Sequence, residues 1–249
     1  MNHPRKFPIQ SLALLPWQPA PRDLTLPADE LHLWRIALTG ASDHWQSTLS
    51  KDEQTRAERL RFARDRDQFV ITRGTLRTLL AQYLNVAPTS LQFGFEATGK
   101  PYLMTTSGAR APLGFNVSHT HGLALLALAW HRELGVDVEQ VRAELAEEMT
   151  AQQFLSPSEL QAFRRLPRAL QTTAFFNSWT CKEAVLKATG AGFSIAPQTI
   201  AVTLDEDAEP RGMEVPAGDA WSLWQVVPQP GYAGALALQG AQAAVRCYT

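Results

Sequence analysis

The sequence predicts an α+β fold made of two similar halves. Its 249 residues, 45% of them apolar, suffice for one large domain or two small ones with a sizeable core. Helical segments are followed by a run of short strand-like segments, and this order occurs twice along the chain. We therefore expect an irregular N-terminal arm over residues 1–30 and two α+β halves over residues 31–135 and 136–249, joined near residues 136–142.

The first half combines helices with several strands. Prolines recur before Leu31 and predict the irregular arm. Ser50 and Glu53 have the spacing of a capping box that begins a helix. Apolar residues then recur at helical spacing from Asp67 to Leu84. Strands are predicted at residues 31–38, 91–96, 101–104, 115–119, 122–130 and 134–141.

The second half repeats this order. A helix is expected over residues 143–154, and a second capping box at residues 156–159 begins another, with Pro157 at its first helical position. A long helix should span about residues 168–189 and end at Gly190. Strands are predicted at residues 199–204, 221–227 and 234–240.

Composition excludes several classes of protein. The chain has 23 basic and 24 acidic residues, and a formal charge of -1 counts against a general nucleic-acid binder. Two cysteines, Cys181 and Cys247, cannot form a disulfide scaffold or a Cys-rich zinc site. No run of about 18 apolar residues occurs, so no membrane helix is expected. We expect a soluble, reduced, cytoplasmic protein.

An arginine cluster stands out against this neutral average. Arginine offers planar donors that suit phosphate, so the cluster is compatible with an anionic ligand. Acidic residues are interleaved with it, so on these residues alone a solvated helix face is the favoured explanation. Its members are Arg56, Arg59, Arg61, Arg64, Arg66, Arg73 and Arg77.

A pair of carboxylates is the first feature that indicates a functional site. Asp137 and Glu139 are two apart in an apolar strand and therefore face the same side. Two close negative charges need a cation or a shared proton, and Mg²⁺ prefers carboxylate oxygens. The alternative is a pair of acids on a solvent-facing strand.

A second pattern, WTCKEAVLK, covers residues 179–187. Glu183 and Lys187 share a helix face, while Lys182 lies about 100° to one side. An ordinary helix salt bridge explains Glu183 and Lys187, but it leaves the rest of the pattern unexplained.

Ser118 and His119 end a strand; since no nucleophile elbow surrounds the serine, a phosphate or ribose contact is favoured over a hydrolase triad.

Four motifs in order resemble one family. They are Gly-Lys-Pro at 99–101, Asn-Val-Ser-His-Thr at 116–120, Gly-Val-Asp-Val-Glu at 135–139 and Trp-x-x-Lys-Glu-Ala-x-x-Lys at 179–187. Each motif is weak alone, but together they resemble the 4'-phosphopantetheinyl transferases of the large, surfactin-synthetase-activating type over about residues 31–204. The resemblance implies two pseudo-twofold-related α+β halves with coenzyme A in the cleft between them.

The resemblance also implies a reaction and its residues. Such enzymes transfer 4'-phosphopantetheine from coenzyme A to a serine of an apo acyl or peptidyl carrier protein and release adenosine 3',5'-bisphosphate. Asp137, Glu139 and Glu183 would then bind Mg²⁺, with Mn²⁺ as an alternative. Glu183 is the candidate general base, Lys187 the contact to the transferred phosphate, and Lys182 its support, with the roles of the two lysines exchangeable.

Coenzyme A would have its own set of residues. The resemblance implies that Lys100, Ser118 and His119 hold the nucleotide end together with Lys187, a protonated His119 donating to the 3'-phosphate. Basic residues of the first half add to them, and the candidates are Arg56, Arg61, Arg66 and Arg73, with Arg56 and Arg73 preferred.

Relatives of this length act as monomers, and neither nucleic acid nor membrane is an expected partner. Two other functions stay open at this stage: a module that binds coenzyme A or a carrier protein without turnover, and a metal-dependent phosphohydrolase of coenzyme A or another nucleotide.

Overall fold

A computed structural model of the chain describes residues 4–12, 16–216 and 220–249. The predicted α+β class is confirmed. The helices of this part are α1 (Lys51–Glu58), α2 (Ala63–Leu84), α3 (Glu148–Phe154), α4 (Pro157–Arg165) and α5 (Arg168–Thr189). The strands are β1 (Arg5–Ser11), β2 (Glu30–Ala37), β3 (Gln92–Phe95), β4 (Pro101–Met104), β5 (Leu113–Thr120), β6 (Leu123–Trp130), β7 (Leu134–Gln140), β8 (Ala201–Leu204), β9 (Pro210–Val215), β10 (Trp221–Val226), β11 (Tyr232–Gln239) and β12 (Ala244–Tyr248).

The strands form two large sheets and a small hairpin. One sheet has six strands in the order β7-β11-β10-β1-β9-β8, and the other has four in the order β12-β2-β6-β5. Strands β3 and β4 pair antiparallel as a separate hairpin. Thus β7 and β5, which carry two of the predicted motifs, are each the edge strand of a large sheet.

The sheets pack face to face between two long helices. Apolar side chains of both sheets form a central core, to which Leu125, Val136 and Leu236 belong. Helix α2 covers the outer face of the four-stranded sheet, and α5 covers the outer face of the six-stranded one. Because both faces of β6 are covered, its sequence LALLALAW is almost continuously apolar rather than alternating.

The local helix signals are confirmed. Both capping boxes form: the Ser50 hydroxyl accepts from the Glu53 backbone at the start of α1, and Ser156 and Glu159 do the same for α4. Helix α5 ends at Gly190, which adopts φ 65 in the left-handed region that glycine tolerates best.

The expected irregular arm is wrong over part of its length. Residues 5–11 form β1, which lies inside the six-stranded sheet between β9 and β10. At the other end of the chain, β12 pairs with β2 in the four-stranded sheet. Each sheet therefore contains one strand from the opposite terminus, and the expected boundary at residues 135/136 falls within β7 rather than in a linker.

The expected helix over residues 143–154 is also wrong in extent. A 3-10 turn at Ala143–Leu145 is separated from α3 by Ala146 and the extended Glu147. Ala146 is buried in the same cluster as Ala151, so packing interrupts a segment whose residues favour helix locally. No described helix is long and apolar enough to cross a membrane.

Candidate active site

The candidate site lies where the edges of the two large sheets meet. Strands β5 and β7 pack against each other, and three side-chain hydrogen bonds join them, of which two lie at the centre of the site. The Val136 backbone donates to Asn116 Oδ1 over 3.0 Å, and Ser118 Oγ donates to Asp137 Oδ1 over 2.8 Å. Two motifs that are about 20 residues apart in the sequence therefore meet at one point.

Helix α5 reaches this point because β7 contains a glycine. A Cβ at Gly135 would lie 3.0 Å from Ala188 Cα and would overlap the Ala184 carbonyl oxygen. Strand and helix therefore touch backbone to backbone, which only glycine allows. This close approach brings Glu183 and Lys187 beside the acids of β7.

The centre of the cluster is Asp137, which is 2% exposed. Lys187 Nζ donates to Asp137 Oδ1 over 2.6 Å and to Ser118 Oγ over 2.8 Å. Glu139 Oε2 accepts a bond of 3.2 Å from Thr120 Oγ1. Asp137 Oδ2 is buried and has no hydrogen-bond partner among the described residues. A buried carboxylate oxygen without a donor is costly, so it indicates a missing ligand.

The negative charge of the cluster is only partly balanced. Burial raises the pKa of Glu139, and the nearby Asp137 raises it further. The pKa of Glu183 is raised by the same two causes, which Lys187 only partly offsets. In both groups burial is the larger cause, and a cation bound beside them would lower both pKa values.

These acids fit a hard divalent cation only in part. Across residues 4–12, 16–216 and 220–249, no three acidic, histidine or cysteine side chains converge into a complete metal-binding group. Mg²⁺ does not need such a group, because it is commonly held by one or two carboxylates together with water and substrate phosphates. The unpartnered Asp137 Oδ2 fits that kind of open site, and so do Glu139 and Glu183, whose pKa values are raised.

Two cavities adjoin the cluster and share a wall formed by Pro101, Asn116 and Val117. The first has a volume of about 600 Å³; Glu183 and Lys187 lie on it, and most of its remaining lining is apolar. The second has a volume of about 530 Å³, and its lining includes several basic side chains. Those basic residues are Arg56, Arg73 and His119.

His119 and Arg56 both line the second cavity. Desolvation lowers the pKa of His119, and the Lys187 ammonium lowers it further. Arg56 is exposed, and its guanidinium lies 5.2 Å from the centre of the Phe69 ring. Neither Arg61 nor Arg66 lines the second cavity.

Two of the basic residues predicted to contact coenzyme A already have protein partners. Arg73 lies on the second cavity, but its guanidinium donates two hydrogen bonds to Glu53. Lys100 lies on the first cavity rather than the second, and its ammonium donates to Glu133 and to the Ala188 carbonyl. These contacts join the β3–β4 hairpin to the end of α5.

Lys182 is not part of the cluster, so the prediction that it supports Lys187 is wrong for this structure. Its ammonium is buried against Glu159 and the Phe154 carbonyl. The position about 100° away from Glu183 on α5 directs it to α3 and α4 instead of to β7.

Sequence reasoning missed two residues of the site. Thr120 holds Glu139, and Asn116 holds the backbone of β7. Both lie two residues from Ser118 on β5, so the alternation of a strand places all three on one face. That alternation was the available signal.

Known proteins match nearly the whole chain. Residues 133–237 match the 4'-phosphopantetheinyl transferase superfamily, and residues 39–131 match the 4'-phosphopantetheinyl transferase N-terminal region. The 4'-phosphopantetheinyl transferase HetI of Nostoc sp. is 40% identical over 228 residues, covering 90% of this chain and 94% of HetI.

More distant relatives agree with this match. A putative 4'-phosphopantetheinyl transferase of Synechocystis sp. is 37% identical over 60% of each chain. The 4'-phosphopantetheinyl transferase Sfp of Bacillus subtilis is 21% identical over 68% of this chain and 72% of Sfp. With a relative this similar over almost its full length, the chain belongs to the 4'-phosphopantetheinyl transferase family and is a transferase.

Proposed function

We propose that this chain transfers the 4'-phosphopantetheine group of coenzyme A to a serine of an apo acyl or peptidyl carrier protein, giving the holo carrier and adenosine 3',5'-bisphosphate. The observation that carries the proposal is the buried, unpartnered Asp137 Oδ2 beside Glu139 and Glu183. Such a cluster suits a pyrophosphate that arrives with a divalent ion.

The two cavities suit the two ends of coenzyme A. The nucleotide with its 3'-phosphate would occupy the second cavity, near Arg56 and His119. A phosphate there would raise the pKa of His119 again and would favour its protonated, donating form. The pantetheine arm would lie in the more apolar first cavity, so that the pyrophosphate between them lies near Lys187.

Asp137, Glu139 and Glu183 would hold Mg²⁺ or Mn²⁺, since both ions accept carboxylate oxygens. When bound, the ion would neutralise charge on the pyrophosphate and on the leaving group.

Glu183 is the base that we assign to the carrier serine. A carboxylate is a weak base for an alcohol, so the position of Glu183 beside the reacting groups would supply most of its effect. As the serine proton moves to Glu183, the serine oxygen bonds to the β-phosphorus and the bond from that phosphorus to the bridging oxygen breaks. The electron pair of that bond leaves with adenosine 3',5'-bisphosphate. Lys187, oriented by Ser118, donates to the phosphate oxygens.

One assay tests the proposal. The purified protein is incubated with coenzyme A, Mg²⁺ and an apo carrier, and intact-mass measurement detects the gain of phosphopantetheine. We expect the gain with Mg²⁺ and its loss with excess chelator. No gain with several acyl and peptidyl carriers would refute the proposal. Release of adenosine 3',5'-bisphosphate without any carrier would indicate a phosphohydrolase, and binding of coenzyme A without any product would indicate a binding module.

We expect the protein to act as a monomer, because one chain supplies Ser118 from one sheet and Asp137 from the other. Light scattering at assay concentrations tests this. We place the protein in the cytoplasm, where the two free cysteines stay reduced.

A further inference from the structure

A buried ion pair connects four elements beneath the wall of the first cavity. Lys182 Nζ of α5 lies 2.6 Å from Glu159 Oε2 and 2.8 Å from the carbonyl oxygen of Phe154, the last residue of α3. Glu159 also accepts from the Ser156 backbone at the start of α4 and from the Val202 backbone of β8. Both charged side chains are only 2% exposed.

Stability alone does not explain this pair. Removing two charges from water costs about as much as their attraction returns, and well-packed apolar side chains of similar volume are often as stable. An ion pair with hydrogen bonds differs from an apolar contact because each donor and acceptor requires a particular geometry. Here one of these bonds, from the Lys182 ammonium, is accepted by a single backbone atom, the carbonyl oxygen of Phe154.

Phe154 is a wall residue of the first cavity, together with Gln153. Its ring lies 4.1 Å from that of Trp179, measured between ring centres. Trp179 precedes Lys182 by three residues, so the two share one side of α5. The side chains of Trp179 and Lys182 thus hold the ring and the backbone of the same residue.

We infer that Lys182 is a positioning residue for transfer: with Glu159 it holds Phe154, and through Phe154 it shapes the wall of the cavity that receives the pantetheine arm. This inference rests on the proposed function. It assigns Lys182 no contact with phosphate, since its ammonium is buried against two protein oxygens.

Two ligands separate positioning from phosphate contact. Coenzyme A has the pantetheine arm, whereas adenosine 3',5'-bisphosphate lacks it and fills only the nucleotide cavity. For Lys182→Met we expect the Kd for coenzyme A to rise roughly tenfold by titration calorimetry, while that for the bisphosphate changes less than about twofold. In turnover, KM for coenzyme A rises more than kcat falls.

A double-mutant cycle tests the route through Phe154. If Lys182 acts through this residue, Lys182→Met should have little further effect on coenzyme A binding in a Phe154→Ala background. If Lys182→Met does not fold because Glu159 is left unpaired, the double variant Lys182→Met/Glu159→Gln replaces it. The binding of coenzyme A and of adenosine 3',5'-bisphosphate is then compared in that variant. Arg165→Gln, an exposed change on α4, is the control and should bind both ligands as the wild type does.

Three results with the variants would overturn the inference while the proposed function stands. They are equal weakening of both ligands by Lys182→Met, an undiminished effect in the Phe154→Ala background, and unchanged binding of coenzyme A. A wild-type protein that binds coenzyme A with no contribution from the pantetheine arm would also overturn it. A wild-type protein that transfers nothing would instead refute the proposed function, and the inference with it.

Discussion

Replacing Gly135 by alanine tests how the site is assembled. The added Cβ would overlap the Ala184 carbonyl oxygen and the Ala188 nitrogen and would lie 3.0 Å from Ala188 Cα. All three atoms are backbone, so no side-chain rotation relieves the overlap. Helix α5 or strand β7 must move, and both carry residues of the acidic cluster.

The structure sets the size of the effect. Restoring ordinary contact distances requires a shift of about 1 Å, and cores resist such shifts because they are close-packed. Overpacking of this kind costs about 1–3 kcal/mol, which in a chain of this size lowers Tm by about 2–4 °C per kcal/mol. A misplacement of about 1 Å between Asp137 and Glu183 can cost about 10²-fold in rate.

The matched control is Gly212→Ala on β9. A Cβ there would lie 3.5 Å from the Phe7 carbonyl oxygen, an ordinary contact. We expect Gly135→Ala to lose about 10²-fold in kcat/KM for carrier modification, measured by intact mass at a temperature where both variants are folded, while Gly212→Ala stays near the wild type. A folded Gly135→Ala variant with wild-type kcat/KM would refute the reasoning.

Three further changes probe single contacts. Asp137→Asn keeps the acceptor for Ser118 but removes the charge, so transfer should fall by about 10²–10³-fold or more, measured at a temperature where the variant is folded; retained transfer would contradict the metal assignment. Lys187→Met should lower kcat by about 10²-fold, and steady-state kinetics with wild-type kcat would exclude its role. Burial alone would raise the pKa of Glu53, but Arg73 and Arg77 hold it below 4.5. Its ionised form therefore stabilises the fold above that pH and loses this effect as pH falls through the lowered pKa. Glu53→Gln should lower the free energy of unfolding in urea by about 2–4 kcal/mol at neutral pH. At about pH 3.5 the difference in this free energy between the wild type and the variant should be smaller, and an undiminished difference would contradict the reasoning.

Much of the fold was predictable because its signals are local. The capping box at Ser50, the long apolar periodicity of α2 and the glycine after α5 act over a few residues, and each prediction is confirmed. Strand β1 was not predictable in this way. The prolines in and around it indicate irregular structure, whereas its partners β9 and β10 lie about 200 residues further along the chain.

The same limit applies to the cations of the site. Spacing predicted that Asp137 and Glu139 share a strand face, whereas the contact of Asp137 with Ser118 and Lys187 was visible only in the structure. Spacing also could not show which acid neutralises a given cation. Lys182 pairs with Glu159, and Lys100 pairs with Glu133, through contacts that depend on how distant elements pack.

Helix α5 explains why the pattern of residues 179–187 contains more than one ion pair. One side of the helix directs Trp179 and Lys182 toward Phe154 and the wall of the first cavity. Another directs Glu183 and Lys187 toward the acids of β7, where both also line that cavity. Since a single rigid helix carries both sets, displacing it disturbs the wall and the acidic cluster together. Gly135→Ala should therefore weaken coenzyme A binding as well as turnover, whereas Lys182→Met should act mainly on binding.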